Sequence, residues 1–188
     1  MGHRRAIEPE LPDTFLYSVP APTGSLDGRV AYGGGSAYCD AKAGELQIAR
    51  ACLARAKAHS LKFSIENHTH TLIPEAASFL RLSDAVHDPD LGCNLDVGWA
   101  MLQKEYPPIA IHKLKGRLLN VHMRDIDGSM RLFPPMGDGV MDCQAIVATL
   151  KQIGFNGFAS IEQDTHPGDP EMRVICQRYL KMMREYIG

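Results

Sequence analysis

Four residues able to share a metal ion stand at the ends of four short apolar runs. Glu66 closes residues 61–66, Asp96 closes 92–96, His122 follows 118–121 and Glu162 closes 157–162. Runs of this length fit strands buried on both faces, and in parallel α/β folds sites are built at the C-terminal ends of such strands. Three carboxylates and one imidazole make an oxygen-rich donor set, which favours Mn2+ or Mg2+, with Co2+ or Zn2+ as alternatives, over soft-metal chemistry. A cation there could polarise a carbonyl and a hydroxyl of a substrate, and Glu66 and Glu162 would then be the candidate acid and base. Each residue taken singly has an ordinary explanation, because a carboxylate after a strand often caps the next helix and a lone histidine is commonly satisfied by hydrogen bonds. Four in successive strands make a shared site the better reading.

The elements that must position them follow from the pattern between the runs. Residues 1–13 are polar and proline-containing and read as an irregular lead-in, with one domain over 14–188. A first strand is expected at 14–19, then a long glycine-rich loop over 23–38 that lacks the spacing of a phosphate-binding loop. Asp40 is the expected N-cap of a helix to about His59. Pro74 fits the first turn of a helix to about Leu82, with Glu75 beside it. Pro107-Pro108 should split 98–115 into two short helices. Asp142 should cap a helix that Gly154 stops, and Asp169-Pro170 should open a last helix to about Tyr186. Five strands alternating with helices imply a parallel sheet or barrel wall.

Composition narrows the classes. At 188 residues, with 45% apolar and 22% charged residues, the chain suits one globular domain with a sizeable core. A formal net charge of -2 argues against a surface built for nucleic acid. Five widely spaced cysteines, with no C-x-x-C pair, read as reduced packing thiols. No run is long enough to span a membrane and no leader pattern is present, so a cytoplasmic location and no membrane partner are expected.

The strings Ser64-Ile65-Glu66-Asn67-His68, Leu95-Asp96-Val97-Gly98-Trp99, Val121-His122-Met123-Arg124-Asp125, the segment 137–142 and the segment 154–162 occur in an order and spacing that resembles the sugar phosphate isomerase/epimerase family with the xylose isomerase-like TIM barrel. The resemblance runs from about residue 14 to the end and corresponds to the C-terminal portion of that barrel. It implies a divalent metal held by Glu66, Asp96, His122 and Glu162, with Glu66 and Glu162 moving the proton in isomerisation or epimerisation. It also implies that His68 either supports the ligands from behind or faces substrate, and it puts Arg124, which stands where many members carry lysine, within reach of substrate. Many epimerases of the family have D-x-x-H where this chain has Asp96 followed by Trp99. Trp99 either stacks on a sugar face or packs beneath the site. Arg124 either meets substrate or pairs with Asp125.

A full (β/α)8 barrel takes about 250 residues, and about five βα units are present here. A partial (β/α) barrel leaves two open sheet edges, expected to be covered by another copy of the chain or by missing N-terminal strands. The leading function is thus a metal-dependent isomerase or epimerase of a sugar, polyol or related hydroxy-carbonyl compound. The alternative is a non-catalytic or truncated barrel that keeps the metal site. An AP-endonuclease-like DNA-repair role, with His68, His70 and His166 as further ligands, conflicts with the near-neutral charge and the missing D-x-x-H.

Overall fold

Alternate side chains along β2 (Phe63–Glu66) part to opposite faces of the sheet. Phe63 and Ile65 join the hydrophobic core beneath the helices, and Ser64 and Glu66 turn the other way. The same division holds along β3 (Leu91–Asp96), where Leu91, Cys93 and Leu95 enter the core and Asn94 and Asp96 face Glu66. With β1 (Leu16–Tyr17), β4 (Leu118–Met123) and β5 (Phe158–Ile161), these strands form one parallel sheet in the order β1-β2-β3-β4-β5. The computed structural model describes residues 16–17, 36–69, 71–129, 133–164 and 169–188. The expected lead-in, most of the glycine-rich loop, His70 and His166 lie outside these residues. The architecture is α/β, part of a barrel.

Strand β4 breaks the simple alternation. Leu118 and Val121 both enter the core, although they lie three positions apart. The pairing with β3 shifts between Cys93 and Asn94, so that Cys93 faces Leu118 while Asn94 faces Asn120. Leu119 is thus an extra residue in β4, a bulge of the kind that re-aims neighbouring side chains. Its side chain lies where a Cβ on Gly92 would sit, 2.2 Å from the Leu119 Cδ1 atom, so a larger residue at 92 would have to displace Leu119. The bulge lets Leu118 serve the core and still turns Asn120 and His122 to the opposite face.

Helices α1 (Ser36–Ala58), α2 (Ala76–Val86), α3 (Val97–Leu102), α4 (Pro107–Lys113), α5 (Cys143–Gln152) and α6 (Met172–Ile187) connect and follow the strands. Phe79, Ile111, Leu114, Ile146 and Ile175 fill the layer between them and the sheet. The double proline separates α3 from α4 as expected, Asp142 caps α5 by accepting from the Ala145 N–H at 2.9 Å, and Gly154 follows α5 at φ 68°.

Three helix starts differ from expectation. Asp40 lies inside α1, which begins at Ser36, because Ala37, Tyr38 and Cys39 contain no breaker. Pro74 precedes α2: Glu75 is its N-cap, the Ser78 hydroxyl accepts from the Glu75 N–H at 3.2 Å, and the helix runs on to Val86. Helix α6 begins two residues after Pro170, with Glu171 as N-cap. Among the described residues no helix is long and apolar enough to cross a membrane.

Candidate metal centre

The four strand-end residues come together. One ligand atom each from Glu66, Asp96, His122 and Glu162 lies within 4.8 Å of all the others. Each is placed by a different local device. Glu66 and His122 are strand residues of β2 and β4. Glu162 follows β5 and stays in register because its N–H donates to the Met123 carbonyl at 3.1 Å. Asp96 is both the last residue of β3 and the N-cap of α3, its Oδ1 accepting from the Trp99 N–H at 2.8 Å. The capping role is thus observed for Asp96 Oδ1, and Oδ2 is left free to serve as a candidate ligand atom.

Asn67, a residue to which the sequence assigned no role, clamps Asp96 from the neighbouring strand. Its Oδ1 accepts from the Asp96 N–H at 2.8 Å and its Nδ2 donates to the Asp96 carbonyl at 3.1 Å, so a buried side chain continues the β2–β3 ladder by one pair. The signal that would have found the rest of the support is a repeat two residues upstream of each ligand. Ser64, Asn94, Asn120 and Ser160 precede Glu66, Asp96, His122 and Glu162 by two and so share their face. The Asn94 amide nitrogen lies 3.2 Å from Nε2 and 3.4 Å from Nδ1 of His122, and the Ser160 hydroxyl donates to Asn120 Oδ1 at 3.2 Å. Branched apolar side chains usually fill this part of a barrel; here it is polar.

The site crowds negative charge. The Nδ1 atom of His122 faces Glu66 Oε1 at 3.1 Å and is in direct contact with Glu162 Oε2. Arg124, only 4% exposed, reaches three carboxylates: Nε lies 3.3 Å from Asp96 Oδ2, one terminal nitrogen contacts Glu162 Oε1, and the other is 3.2 Å from Asp164 Oδ2. Its guanidinium carbon stands 4.4 Å from the Phe133 ring centre and 5.3 Å from that of Trp99. The expected alternative pairing of Arg124 with Asp125 does not occur. The two are adjacent in extended chain, so their side chains leave on opposite sides.

Burial is the main reason the Asp96 carboxyl is pushed up to about 7, the Arg124 charge and the Trp99 N–H opposing it only in part. Burial also acts to lower His122, but hydrogen bonds to Glu162 and Glu66 outweigh it and raise the imidazole to about 9. Glu162 is held below its ordinary value, since His122 and Arg124 together overcome its own desolvation.

These features fit a divalent cation. Asp96 Oδ2 is buried without a hydrogen bond, a costly state that a bound ion would relieve. The donor set is three carboxylates and an imidazole whose Nδ1 points into their midst. A cavity of about 390 Å3 lies elsewhere, among Lys62, Asp90, Gly92, Arg117 and Leu119 at the N-terminal ends of the strands. It contains none of these ligands, and sites in parallel α/β folds form at the other end.

Of the residues expected to meet substrate, His68 and Trp99 flank the cluster as a pair, ring centres 4.2 Å apart, and Phe133 meets Trp99 edge-on at 4.8 Å. The Thr69 carbonyl faces His68 Nδ1 at 2.6 Å; a carbonyl can only accept, so Nδ1 carries the proton.

A parallel strand-and-helix wall with ligands at its C-terminal ends defines a class, and comparison agrees: residues 30–184 match the xylose isomerase-like TIM barrel, and the chain belongs to that family. Among solved structures, D-psicose 3-epimerase from Clostridium cellulolyticum H10 superposes with TM-score 0.67 at 17% identity, over 78% of this chain and 56% of that one. The probable 3-DHS dehydratase AsbF of petrobactin synthesis, from Bacillus anthracis, gives 0.66 at 19%, over 74% and 55%. A xylose isomerase domain protein from Planctomyces limnophilus gives 0.65 at 20%, over 82% and 55%. These likenesses establish the fold, and the chain spans little more than half the length of each structure. No curated protein matches it.

Proposed function

We propose that the protein is a divalent-metal-dependent isomerase or epimerase of a sugar, polyol or related hydroxy-carbonyl compound. The observation that carries this reading is the convergence of Glu66, Asp96, His122 and Glu162 from four strands within 4.8 Å. Glu66, Asp96, His122 and Glu162 would hold the ion, Mn2+ or Mg2+ in preference to Co2+ or Zn2+. When bound, the ion supplies Lewis-acid polarisation of carbonyl and hydroxyl oxygens.

The chain's own part is proton transfer and orientation. Glu162, its pKa lowered, enters deprotonated and is suited to take the proton from the carbon beside a carbonyl. Glu66, entering as the protonated acid, then gives its proton to the opposite face of that carbon in epimerisation or, with a proton passing from the hydroxyl to the former carbonyl oxygen, to the neighbouring carbon in isomerisation. His68, protonated on Nδ1, offers the Nε2 lone pair to a substrate hydroxyl, and Trp99 offers an apolar ring face to a sugar. Arg124 holds its positive charge beside the carboxylates of Asp96, Glu162 and Asp164.

A second reading is a partial barrel that binds metal without turnover, since the described strands form an open sheet with β5 at one edge. Phe158, 72% exposed at the edge strand β5, marks where another copy or further strands would close the sheet. Solvent deuterium exchange separates the two readings. Loaded with Mn2+ or Mg2+, the protein should incorporate deuterium beside the carbonyl of at least one of a panel of ketoses, and chelation should stop it. Metal binding with no exchange across the panel would leave the non-catalytic reading.

A further inference from the structure

Arg124 is the one cation among the described residues, besides His122, in contact with the ligand carboxylates, and the fold makes room for it. Gly98, in the first turn of α3, lies beneath it. A Cβ there would come within 3.0 Å of Arg124 Cδ and 2.9 Å of Phe133 Cε1. Phe133 and Trp99 cover the planar guanidinium, and its three nitrogens each lie beside a different carboxylate, Nε at 3.3 Å from Asp96 Oδ2 without a hydrogen bond. The carboxylate oxygen it faces on Asp96 is Oδ2, the one left over after Oδ1 caps α3 and the one lacking a hydrogen bond. That oxygen is the natural ligand atom for an ion, so guanidinium and ion address the same atom.

We propose that Arg124 is a placeholder cation: it holds Asp96 and Glu162 in the metal-free protein and is antagonistic to the divalent ion that those carboxylates bind. The proposal rests on the metal-site reading. Its physical basis is that three carboxylates gathered out of water repel one another and need a positive partner whether or not the ion is present. Arg124 supplies part of that charge permanently. Once a divalent ion enters, the guanidinium adds less stabilisation and repels the ion. By linkage the effect is reciprocal, so removing Arg124 must tighten metal binding by the factor by which its own stabilisation falls when metal binds. Arginine suits this role better than lysine, because a rigid fork reaches several carboxylates at once and stacks between rings.

The test compares wild type, Arg124→Met and Arg124→Lys, with melting temperature measured with chelator and with saturating Mn2+, and Mn2+ affinity measured by calorimetry. In chelator, Arg124→Met should melt roughly 10 °C below wild type, as expected for breaking a buried pair in a chain of this size. Saturating Mn2+ should restore more than half of that loss, and Mn2+ should bind at least about fivefold tighter than to wild type. Arg124→Lys, which keeps the charge but not the fork, should fall between the two. Equal losses with and without Mn2+, or unchanged or weaker affinity in Arg124→Met, would overturn the proposal, because a packing role alone predicts them. If Arg124→Met does not fold even with Mn2+, the lysine variant decides: affinity no tighter than wild type rejects the placeholder. A wild type that binds no Mn2+ would instead reject the metal-site reading itself.

Discussion

Asp96 and Asp125 are both aspartates at strand ends, both almost wholly buried, at 0% and 1% exposure, and their surroundings are opposite. Asp125 is enclosed by backbone donors: Oδ1 accepts from the N–H groups of Ile126 and Met141, and Oδ2 from those of Gly137 and Gly139, all at 2.9–3.0 Å. It ties down the segment after β4 that carries Phe133 and Met136. Asp96 accepts one backbone N–H, keeps one oxygen without a hydrogen bond, and shares its space with two other carboxylates. A buried anion with four donors is part of the scaffold. A buried anion short of donors, among others like it, is a place for a cation.

Substitution should separate the two sharply. Asp125→Asn places an amide NH2 against backbone N–H donors and removes the charge they were paired with, at a cost of about 3 kcal/mol in a denaturant titration. Asp96→Asn should cost under about 1 kcal/mol in the metal-free protein below about pH 7, where burial already favours the neutral carboxyl. The same change should weaken Mn2+ binding by about 100-fold or more, since it removes a ligand. Equal destabilisation by the two substitutions would erase the distinction.

Acidity offers the second separation. Asp96 has a raised pKa, so its burial cost appears as pH rises from its unfolded value of 3.8 through about 7. His122 is also raised, so its stabilising contribution is complete below 6.5 and is lost as pH rises through about 9. Glu162 is lowered and works the other way, contributing above 4.5 and losing that contribution as pH falls through its depressed value. With chelator the melting temperature should therefore decline between pH 5 and pH 9, first over a window that ends near 7 for Asp96 and then over one that ends near 9 for His122. Saturating Mn2+ should flatten this decline, because metal ligands bind deprotonated. A decline unchanged by Mn2+ would place the titrating groups outside the metal centre.

The smallest effect is expected at the rim. Asp164, 57% exposed on its side chain, is the third partner of Arg124, and exposed ion pairs contribute little. Asp164→Asn should change stability by less than about 0.5 kcal/mol and leave Mn2+ affinity within a factor of about two. A larger change would move Asp164 from the rim into the centre.

Much of this arrangement was legible in the chain. Strand-length apolar runs ending in Glu66, Asp96, His122 and Glu162 announced both a parallel sheet and the composition of its charged end, because period-two burial and the C-terminal placement of sites are properties of local sequence. The polar residues two positions before each ligand were equally readable, and only their significance was missed. Helix starts were less legible: α1, α2 and α6 each begin a few residues from the expected point, since competing caps such as Glu75 and Glu171 lie next to the prolines and aspartates that looked decisive.

By itself, then, the sequence determined that three carboxylates and a histidine would stand at strand ends of one sheet, because alternation and apolar runs are local and repeat from strand to strand. Only the tertiary structure decided which neighbours serve them. Asn67 reaches Asp96 across 29 positions, Arg124 bridges to Glu162 across 38, and the bulge at Leu119 sets the phase of His122. Arg124 and Asp125, adjacent in the chain and unremarkable as a charged pair, part to opposite sides, one to the carboxylate cluster and one to the scaffold. Contacts of that range depend on strand register and on space left by residues such as Gly98, and these exist only once the sheet has assembled.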